Sequence, residues 1–347
     1  MKLRRRSMFS GAAGFTLLPV VLVMTLTGSV AFLLNRDNGV NVNLIGARSD
    51  RERARSAAEA GLQAANYAIQ ANACAGGYPI SGSPVTDSNF GGAAYSAYAS
   101  ASTGSPLTLT STGTYNGAAV TLTRPNVYAY QSGALTNWTT QPGSGSSKDT
   151  FVDTPNPNSN YGGFNALYLH KNTWEILIQF DLSPLPAGSR IASPPFNILF
   201  GLQPGATVSL YLKPLNIPTN AFLVRLITRS WTEGTKSGGG GADGATWNRY
   251  DGSSNWPSPG VGYDSRYLVS VPNPLLGALG GWLSMDVTGA AQRWMALPTS
   301  NYGVWLDPNG VATDYYFKSS RDSPGSQRPK LTVSYLLPCG ATAPPDA

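Results

Sequence analysis

Histidine and cysteine are scarce in this chain of 347 residues, which has one histidine, His170, and two cysteines, Cys74 and Cys339. A zinc-type site needs several cysteine or histidine ligands at short spacings, and the sequence offers none. No nucleophile motif stands beside His170, and no pair of carboxylates stands out for glycoside cleavage. We therefore expect a protein that is not an enzyme and that holds no cofactor.

Charge is also sparse, since Asp, Glu, Lys and Arg together make up 12% of the residues. The formal net charge is +6, but four basic residues stand together at the N-terminus, namely Lys2, Arg4, Arg5 and Arg6. Because the remaining basic residues form no stripe that could neutralise phosphates, we expect no binding to nucleic acid. Abundant glycine and proline instead favour β structure with many turns.

The segment "GFTLLPVVLVMTLTGSVAFLL", residues 14–34, has no charge after Gly14, and as a helix it would be about 30 Å long. That length matches a bilayer core and exceeds the apolar core of a secretory signal. No small-residue cleavage site follows it. The basic cluster favours a cytoplasmic N-terminus. We therefore expect a retained, single-pass inner-membrane segment over 15–34, with the bulk of the chain periplasmic or extracellular.

Beyond this segment, apolar residues recur every three or four positions, from Ala54 through Leu62 to Ile69, which predicts an amphipathic helix over 35–74. Residues 75–135 then alternate apolar and Ser/Thr residues, with turn signals at Gly104-Ser105 and Asn116-Gly117. We expect a small antiparallel sheet there. The stretch 136–149 is rich in Gly and Ser and is interpreted as a linker.

From residue 150 to 337 the pattern is strands separated by Pro- and Gly-rich turns, with one short helix expected at "TGAAQRWMAL". About 190 residues of this kind favour a two-sheet β-sandwich or jelly roll, followed by a tail over 338–347. The predicted fold class is α+β, a long helix and small sheet followed by an all-β domain. In an oxidising compartment Cys74 and Cys339 can pair, which would add about 5 kcal/mol of stability.

The N-terminus resembles the type IV prepilins, because a basic leader ends at Gly14 and is followed by "FTLLPVVLVMTLTG". The stretch Arg51–Ala60 is similar to PilX-type minor pilins. The resemblance implies cleavage between Gly14 and Phe15 by a prepilin peptidase, methylation of the new terminus, and packing with other pilin subunits. Pro19 replaces the glutamate of most pilins, so we expect a tip or low-abundance subunit.

The second half resembles the DNRLRE domains through "DTFVDT", "NSNYGG", "ILIQFDLSPLPAGSRI", "SWTEG", "TWNRY", "SSRD" and "PKLTVSYL", in that order. The resemblance implies a β-sandwich of a secreted bacterial protein that binds carbohydrate. Trp256 is the best candidate for an exposed aromatic that stacks on a sugar, and Tyr250, Tyr263 and Arg249 share its loop-rich region. The other tryptophans are expected in the core or at structural positions of the family.

Two further sets of residues are weaker candidates. Arg225, Arg229, Arg249, Arg266 and Lys213 would suit an acidic polysaccharide, although scattered surface charge explains them equally. The carboxylates of the sequence would suit a structural Ca²⁺, because this ion takes oxygen ligands. Its candidate ligands are Asp153, Asp181, Glu233 and Asp286.

These observations predict a minor type IV pilin that displays a glycan- or surface-binding β domain and acts in pilus assembly and adhesion. A pseudopilin at the tip of a type II secretion filament is the first alternative. A membrane-anchored binding protein that never polymerises is the second.

Overall fold

The computed structural model describes residues 17–133, 135–143, 147–194, 204–213, 221–239, 243–257, 260–271, 281–309 and 314–346. The chain divides into two compact units. The first comprises Met1–Ile69, Tyr78–Ser102 and Thr108–Pro125, and the second comprises Gln70–Gly77, Thr103–Leu107 and Asn126–Ala347.

Helix α1 extends over Leu17–Asn72 and continues into a 3₁₀ turn, Ala73–Ala75. Its buried positions recur at three- and four-residue spacings, which confirms the predicted amphipathic pattern of the helix's second half. These positions are Ala54, Ala57, Ala58, Leu62, Ala65 and Ile69. The 3₁₀ turn ends at Gly76, which takes a positive φ of 77°.

The first unit also contains an antiparallel sheet with strand order β1-β2-β3-β4. The strands are β1 Val85–Phe90, β2 Ala93–Ala99, β3 Leu107–Tyr115 and β4 Ala118–Val127. The predicted turn between β3 and β4 is confirmed, because Asn116 and Gly117 both have positive φ values, 46° and 81°. Helix α1 lies directly on this sheet, since a Cβ at Gly113 would collide with the Ala54 carbonyl and one at Gly61 with Ser111.

The second unit is a sandwich of two antiparallel sheets, as the strand pattern predicted. The first sheet has the order β5-β16-β10-β15-β7, with β13 beside β10 and β9 beside β16. Its strands are β5 Thr136–Thr140, β7 Ala166–Leu169, β9 Arg190–Ile191, β10 Ala206–Leu212, β13 Gly281–Asp286, β15 Tyr315–Lys318 and β16 Lys330–Leu336.

The second sheet of the sandwich has the order β12-β11-β14-β8-β6. Its strands are β6 Ser147–Asp153, β8 Trp174–Phe180, β11 Phe222–Ile227, β12 Tyr263–Val271 and β14 Val304–Asp307. Alternation along each strand separates two sets of side chains. Ile176 and Ile178 of β8, for example, belong to the core between the sheets, whereas Leu177 points to the outer face.

The expected short helix is present as α2, Thr288–Ala296, and its Trp294 is buried in the sandwich core. A second apolar cluster covers the outer face of the second sheet. It is formed by Val152, Leu177, Ile227, Trp231, Ala245, Trp256, Val261 and Trp305. Loop residues between β11 and β12 thus make this face a partly buried layer.

The predicted disulfide is confirmed within the second unit, where Cys74 and Cys339 have Cα atoms 5.4 Å apart. It joins residues 265 positions apart, and a loop of that length corresponds to about 5.5 kcal/mol in the chain-entropy treatment. The predicted tail is also held in place, since Trp138 Nε1–H donates to the Pro345 carbonyl at 3.0 Å.

Three predictions need correction. The fold class is mainly β rather than α+β, because the strands of three sheets hold more of the described residues than the two α-helices do, and nothing identifies α1 as a pilin helix. The predicted linker 136–149 is part of the sandwich, since β5 pairs with β16 and β6 pairs with β8. Ser and Thr suit a strand that is buried on one face, so this composition was a weak sign of a linker.

The third correction concerns the membrane. No helix in the described part of the chain is long and apolar enough to cross a bilayer, which contradicts the predicted single-pass inner-membrane location.

Candidate ligand-binding sites

Trp256, predicted to be an exposed aromatic, is buried, with 5% of its surface accessible. Its Nε1–H donates to the Thr246 carbonyl at 3.0 Å, and its ring packs edge-on against Tyr250. The loop carrying it folds back onto the outer face of the second sheet, because that face is apolar and needs cover. The prediction is therefore wrong, and Trp256 is a structural residue.

The other three predicted ligand residues divide between structure and surface. Arg249 donates through Nη1 to the Gly252 carbonyl at 3.0 Å and so fixes its own loop. The half-buried Tyr250 ring lies 4.5 Å from the Arg229 guanidinium carbon. Only Tyr263 is exposed, at 44%, and its ring lies 4.6 Å from the Arg225 guanidinium carbon. The structure therefore does not assemble these four residues into one site.

The candidate Ca²⁺ ligands are also dispersed. Asp153 accepts from the Tyr161 hydroxyl, Asp181 from Ser183, and Glu233 pairs with Arg321 at 3.0 Å. Asp286 accepts from the Thr288 N–H. No group of three or more metal-binding side chains occurs within the described ranges. Each of these four carboxylates has its own hydrogen-bond or ion-pair partner, so they do not surround a common metal position.

A buried polar network links segments far apart in the sequence. Asp149 accepts from the Ser320 N–H at 2.6 Å and from its hydroxyl at 3.1 Å, while the Asp149 N–H donates to Glu233. Asn160 donates to the carbonyls of Glu233 and Ala245. Burial raises the pKa of Asp149 to about 7. Because these residues belong to the DNRLRE-like segments, those motifs serve the fold of the sandwich.

A surface groove of about 1050 Å³, which was not among the sequence-based predictions, lies within the second unit. Leu185 and Ile191, both buried in the sandwich core, form part of its floor. Tyr128 and Tyr130, two residues apart just after β4, contribute half-buried aromatic rings. We call this the tyrosine groove.

The position of both tyrosines in the groove depends on Gly188. This residue has a positive φ of 82°, and a Cβ there would collide with the Tyr128 ring. The Tyr130 hydroxyl donates to the Gly188 carbonyl at 3.2 Å. Burial raises the pKa of Tyr130, although the Arg190 charge acts against the rise, so the phenol stays protonated at neutral pH.

Polar side chains surround the tyrosine groove. Arg190 is exposed, and it forms no ion pair with any residue that the structure describes. Gln292 donates its amide to the Ile191 carbonyl, which leaves its own carbonyl oxygen available. Asp181 caps the Ser183 backbone and remains exposed. An apolar floor with aromatic rings and a few polar groups is typical of sites that bind small or chain-like ligands.

Two of the basic residues predicted to bind an acidic polysaccharide, Arg266 and Arg225, are already paired with carboxylates. Arg266 and Arg293 both donate to Asp264, and the pKa of that carboxyl lies well below its usual range as a result. Arg225 pairs with Asp307 at 2.9 Å. His170 directly follows β7, and its ring contacts the Thr173 hydroxyl.

The leader residues Lys2, Arg4, Arg5 and Arg6 and the proposed cleavage site at Gly14 and Phe15 lie outside the described residues. Processing by a prepilin peptidase and assembly with pilin subunits therefore stay predictions.

No protein-family model matches the chain. Among curated proteins, the chain is 26% identical over 196 residues to the tRNA3(Ser)-specific nuclease WapA of Bacillus spizizenii, which is 56% of this chain and 8% of that protein. The tRNA nuclease WapA of Bacillus subtilis strain 168 is 25% identical with the same coverage. The chain thus spans less than a tenth of the relatives it matches.

Proposed function

We propose that this protein is a binding protein whose β-sandwich holds a polysaccharide in the tyrosine groove. The observation that carries the proposal is the placement of two tyrosine rings around an apolar floor, together with Arg190, which has no ion pair among the described residues. Sugar rings present C–H faces that pack on aromatic planes, and their hydroxyls pair with polar side chains. The DNRLRE-like order of segments supports the same class of ligand.

Charge favours a neutral or acidic glycan over RNA. Among the described residues that line the groove, Arg190 is the one cation, and Asp181 adds a carboxylate. Binding to a nucleic acid backbone depends on several Lys or Arg contacts with phosphates. The similarity to WapA covers too little of those proteins to transfer their nuclease activity. We therefore propose binding without turnover.

A glycan array on the purified protein tests this proposal, followed by titration of the best ligand. Tyr128→Ala should weaken binding about tenfold, because one stacked ring is worth about 1.4 kcal/mol. Tyr67→Ala is the matched control, since Tyr67 is 76% exposed on α1. Circular dichroism verifies that each variant is folded.

Binding that survives Tyr128→Ala and Tyr130→Ala together would refute the groove as the site. Equal loss in Tyr263→Ala would instead favour the region predicted from the sequence. Cleavage of tRNA by the purified chain would overturn the proposal of a binding protein.

A second role, assembly with other subunits through α1, is favoured by one observation. Every side chain from residue 21 to 33 is exposed, and most are apolar. The hydroxyls of Thr25, Thr27 and Ser29 donate to carbonyls of the preceding turn, so the helix offers few free polar groups. We propose that equivalent helices of other copies cover this surface, as the prepilin resemblance implies.

Sedimentation of the native protein tests assembly. Leu26→Asp should convert assemblies to monomers, because it places a charge within the covered surface. Glu59→Gln, on an exposed part of the same helix, should leave them unchanged. N-terminal sequencing that begins elsewhere than Phe15 would remove the support from the prepilin resemblance, and a monomeric native protein would refute assembly.

A further inference from the structure

A second pocket, separate from the tyrosine groove, lies beside the second sheet of the sandwich. Its volume is about 560 Å³. The lining includes Glu175 at the start of β8, Asp307 at the end of β14 and the indole of Trp247 from the covering loop. Lys171 and Asn172, from the turn between β7 and β8, complete one side. We call this the Glu175 pocket.

Glu175 is half-buried, and one oxygen of its carboxyl group lacks a well-formed hydrogen bond. This atom, Oε2, is shielded from solvent and has no partner of good geometry among the described residues, although the Trp305 side chain lies close enough to interact with the carboxyl group. Burial and the Asp307 carboxylate raise the pKa of Glu175 to about 8, while the Trp305 side chain acts in the opposite direction. A buried carboxyl in this state requires a proton or a cation to balance it.

The neighbouring charges do not supply that cation. Arg225 is committed to Asp307, with Nε 2.9 Å from Oδ2, and the Asn309 N–H donates to the other oxygen of Asp307. Lys171 is the remaining cation, and it is exposed at the edge of the pocket, where water screens its charge. Glu175 is therefore the carboxyl group of the pocket whose charge no neighbouring cation neutralises, and which a bound cation could pair with.

We propose that the Glu175 pocket binds a ligand bearing a protonated amine, and that a glucosamine-type amino sugar is the class that fits. The ammonium group would replace the proton on Glu175. The Trp247 ring is half-buried and packs against Gly260, and an indole attracts both cations and the C–H faces of sugars. A metal ion fits less well, because it would have few oxygen ligands beyond two carboxylates, one of which is paired with Arg225.

Binding of a protonated amine beside Glu175 would change the number of protons that the protein holds. At pH 6 both Glu175 and the ligand amine carry a proton before binding. In the complex the amine keeps its proton and Glu175 loses its own to the solvent. About one proton is therefore released for each ligand bound, which follows from linkage between binding and protonation.

Calorimetry with a glucosamine trisaccharide at pH 6, in two buffers of different ionisation enthalpy, measures this release. We expect about one proton per bound ligand for the native protein and none for Glu175→Gln, with at least a tenfold loss of affinity. Glu59→Gln is the matched control, because Glu59 is exposed on α1. Lys171→Ala should tighten binding, since it removes the repelling charge at the edge of the pocket.

The N-acetylated trisaccharide separates charge from shape, because it keeps the ring and lacks the ammonium group. Equal affinity for both trisaccharides would overturn the proposal, as would binding without proton release or no binding of the amino sugar. The proton count comes from the native protein, so the test does not depend on whether Glu175→Gln folds. The outcome is also independent of the tyrosine groove.

Discussion

Stability of the second unit should fall as the pH rises from about 4 to about 7, because of Asp149. Its carboxyl is buried with Ser320, and its pKa is raised from 3.8 to about 7. The folded state therefore keeps a proton over this range that the unfolded state releases. More protons bound in the folded state mean that stability is greatest below the unfolded pKa and declines toward the folded one.

The loss of folding free energy can be calculated from the pKa shift of Asp149. Each pKa unit corresponds to about 1.4 kcal/mol, so a shift of about three units gives an upper value of about 4 kcal/mol. Glu175 adds a decline of the same sign that extends to about pH 8. The lowered pKa of Asp264 has the opposite sign and acts only below about pH 4, outside the window.

Urea unfolding at pH 5 and pH 7.5 measures the part of this decline that falls between those pH values, about 2.5 kcal/mol for Asp149. All eight tryptophans lie between residues 138 and 305, so their fluorescence reports on the second unit. Asp149→Asn should remove most of the decline between these pH values, Glu175→Gln a further part, and Glu59→Gln none. A native protein whose stability is constant or rises over this window would refute the reasoning. So would an Asp149→Asn variant that keeps the whole decline.

Three further predictions concern packing. Replacing both Cys74 and Cys339 by serine should lower the free energy of unfolding by up to about 5 kcal/mol, measured by urea denaturation. Gly113→Ala should destabilise the first unit by about 1–3 kcal/mol, seen as weakened hydrogen-exchange protection in β3, because the added methyl group would collide with the Ala54 carbonyl. Trp256→Phe should lower the melting temperature but leave glycan affinity unchanged, because Trp256 is a structural residue.

Periodicity predicted those parts of the fold that depend on local sequence. The strands over "WEILIQF" and "KLTVSYL", the turn at Asn116-Gly117 and helix α2 lie where the pattern placed them. Each depends on side chains two, three or four residues apart, which a single sequence displays directly. The segment 136–149 was misread because its partners, β16 and β8, are distant in the chain.

The candidate sites were harder to predict for the same reason. Tyr128, Arg190 and Gln292 line one groove but come from three separate parts of the chain. Glu175 and Asp307 meet only because β8 and β14 are neighbours in the second sheet. Neither set forms a sequence motif. Trp256 showed the opposite error, since a loop rich in Ser, Pro and Gly suggested exposure for a side chain that the loop buries.

The buried network accounts for those residues of the DNRLRE-like segments that are not candidate binding residues. Asp149, Asn160, Glu233 and Arg321 pair with one another and with backbone carbonyls, so their polar groups are occupied inside the sandwich. A buried polar group without such partners is costly, which makes the set mutually dependent. The tyrosine groove and the Glu175 pocket instead draw largely on residues outside that network. Ligand choice can therefore change through residues such as Tyr128 or Trp247 while the network that holds the sandwich stays the same.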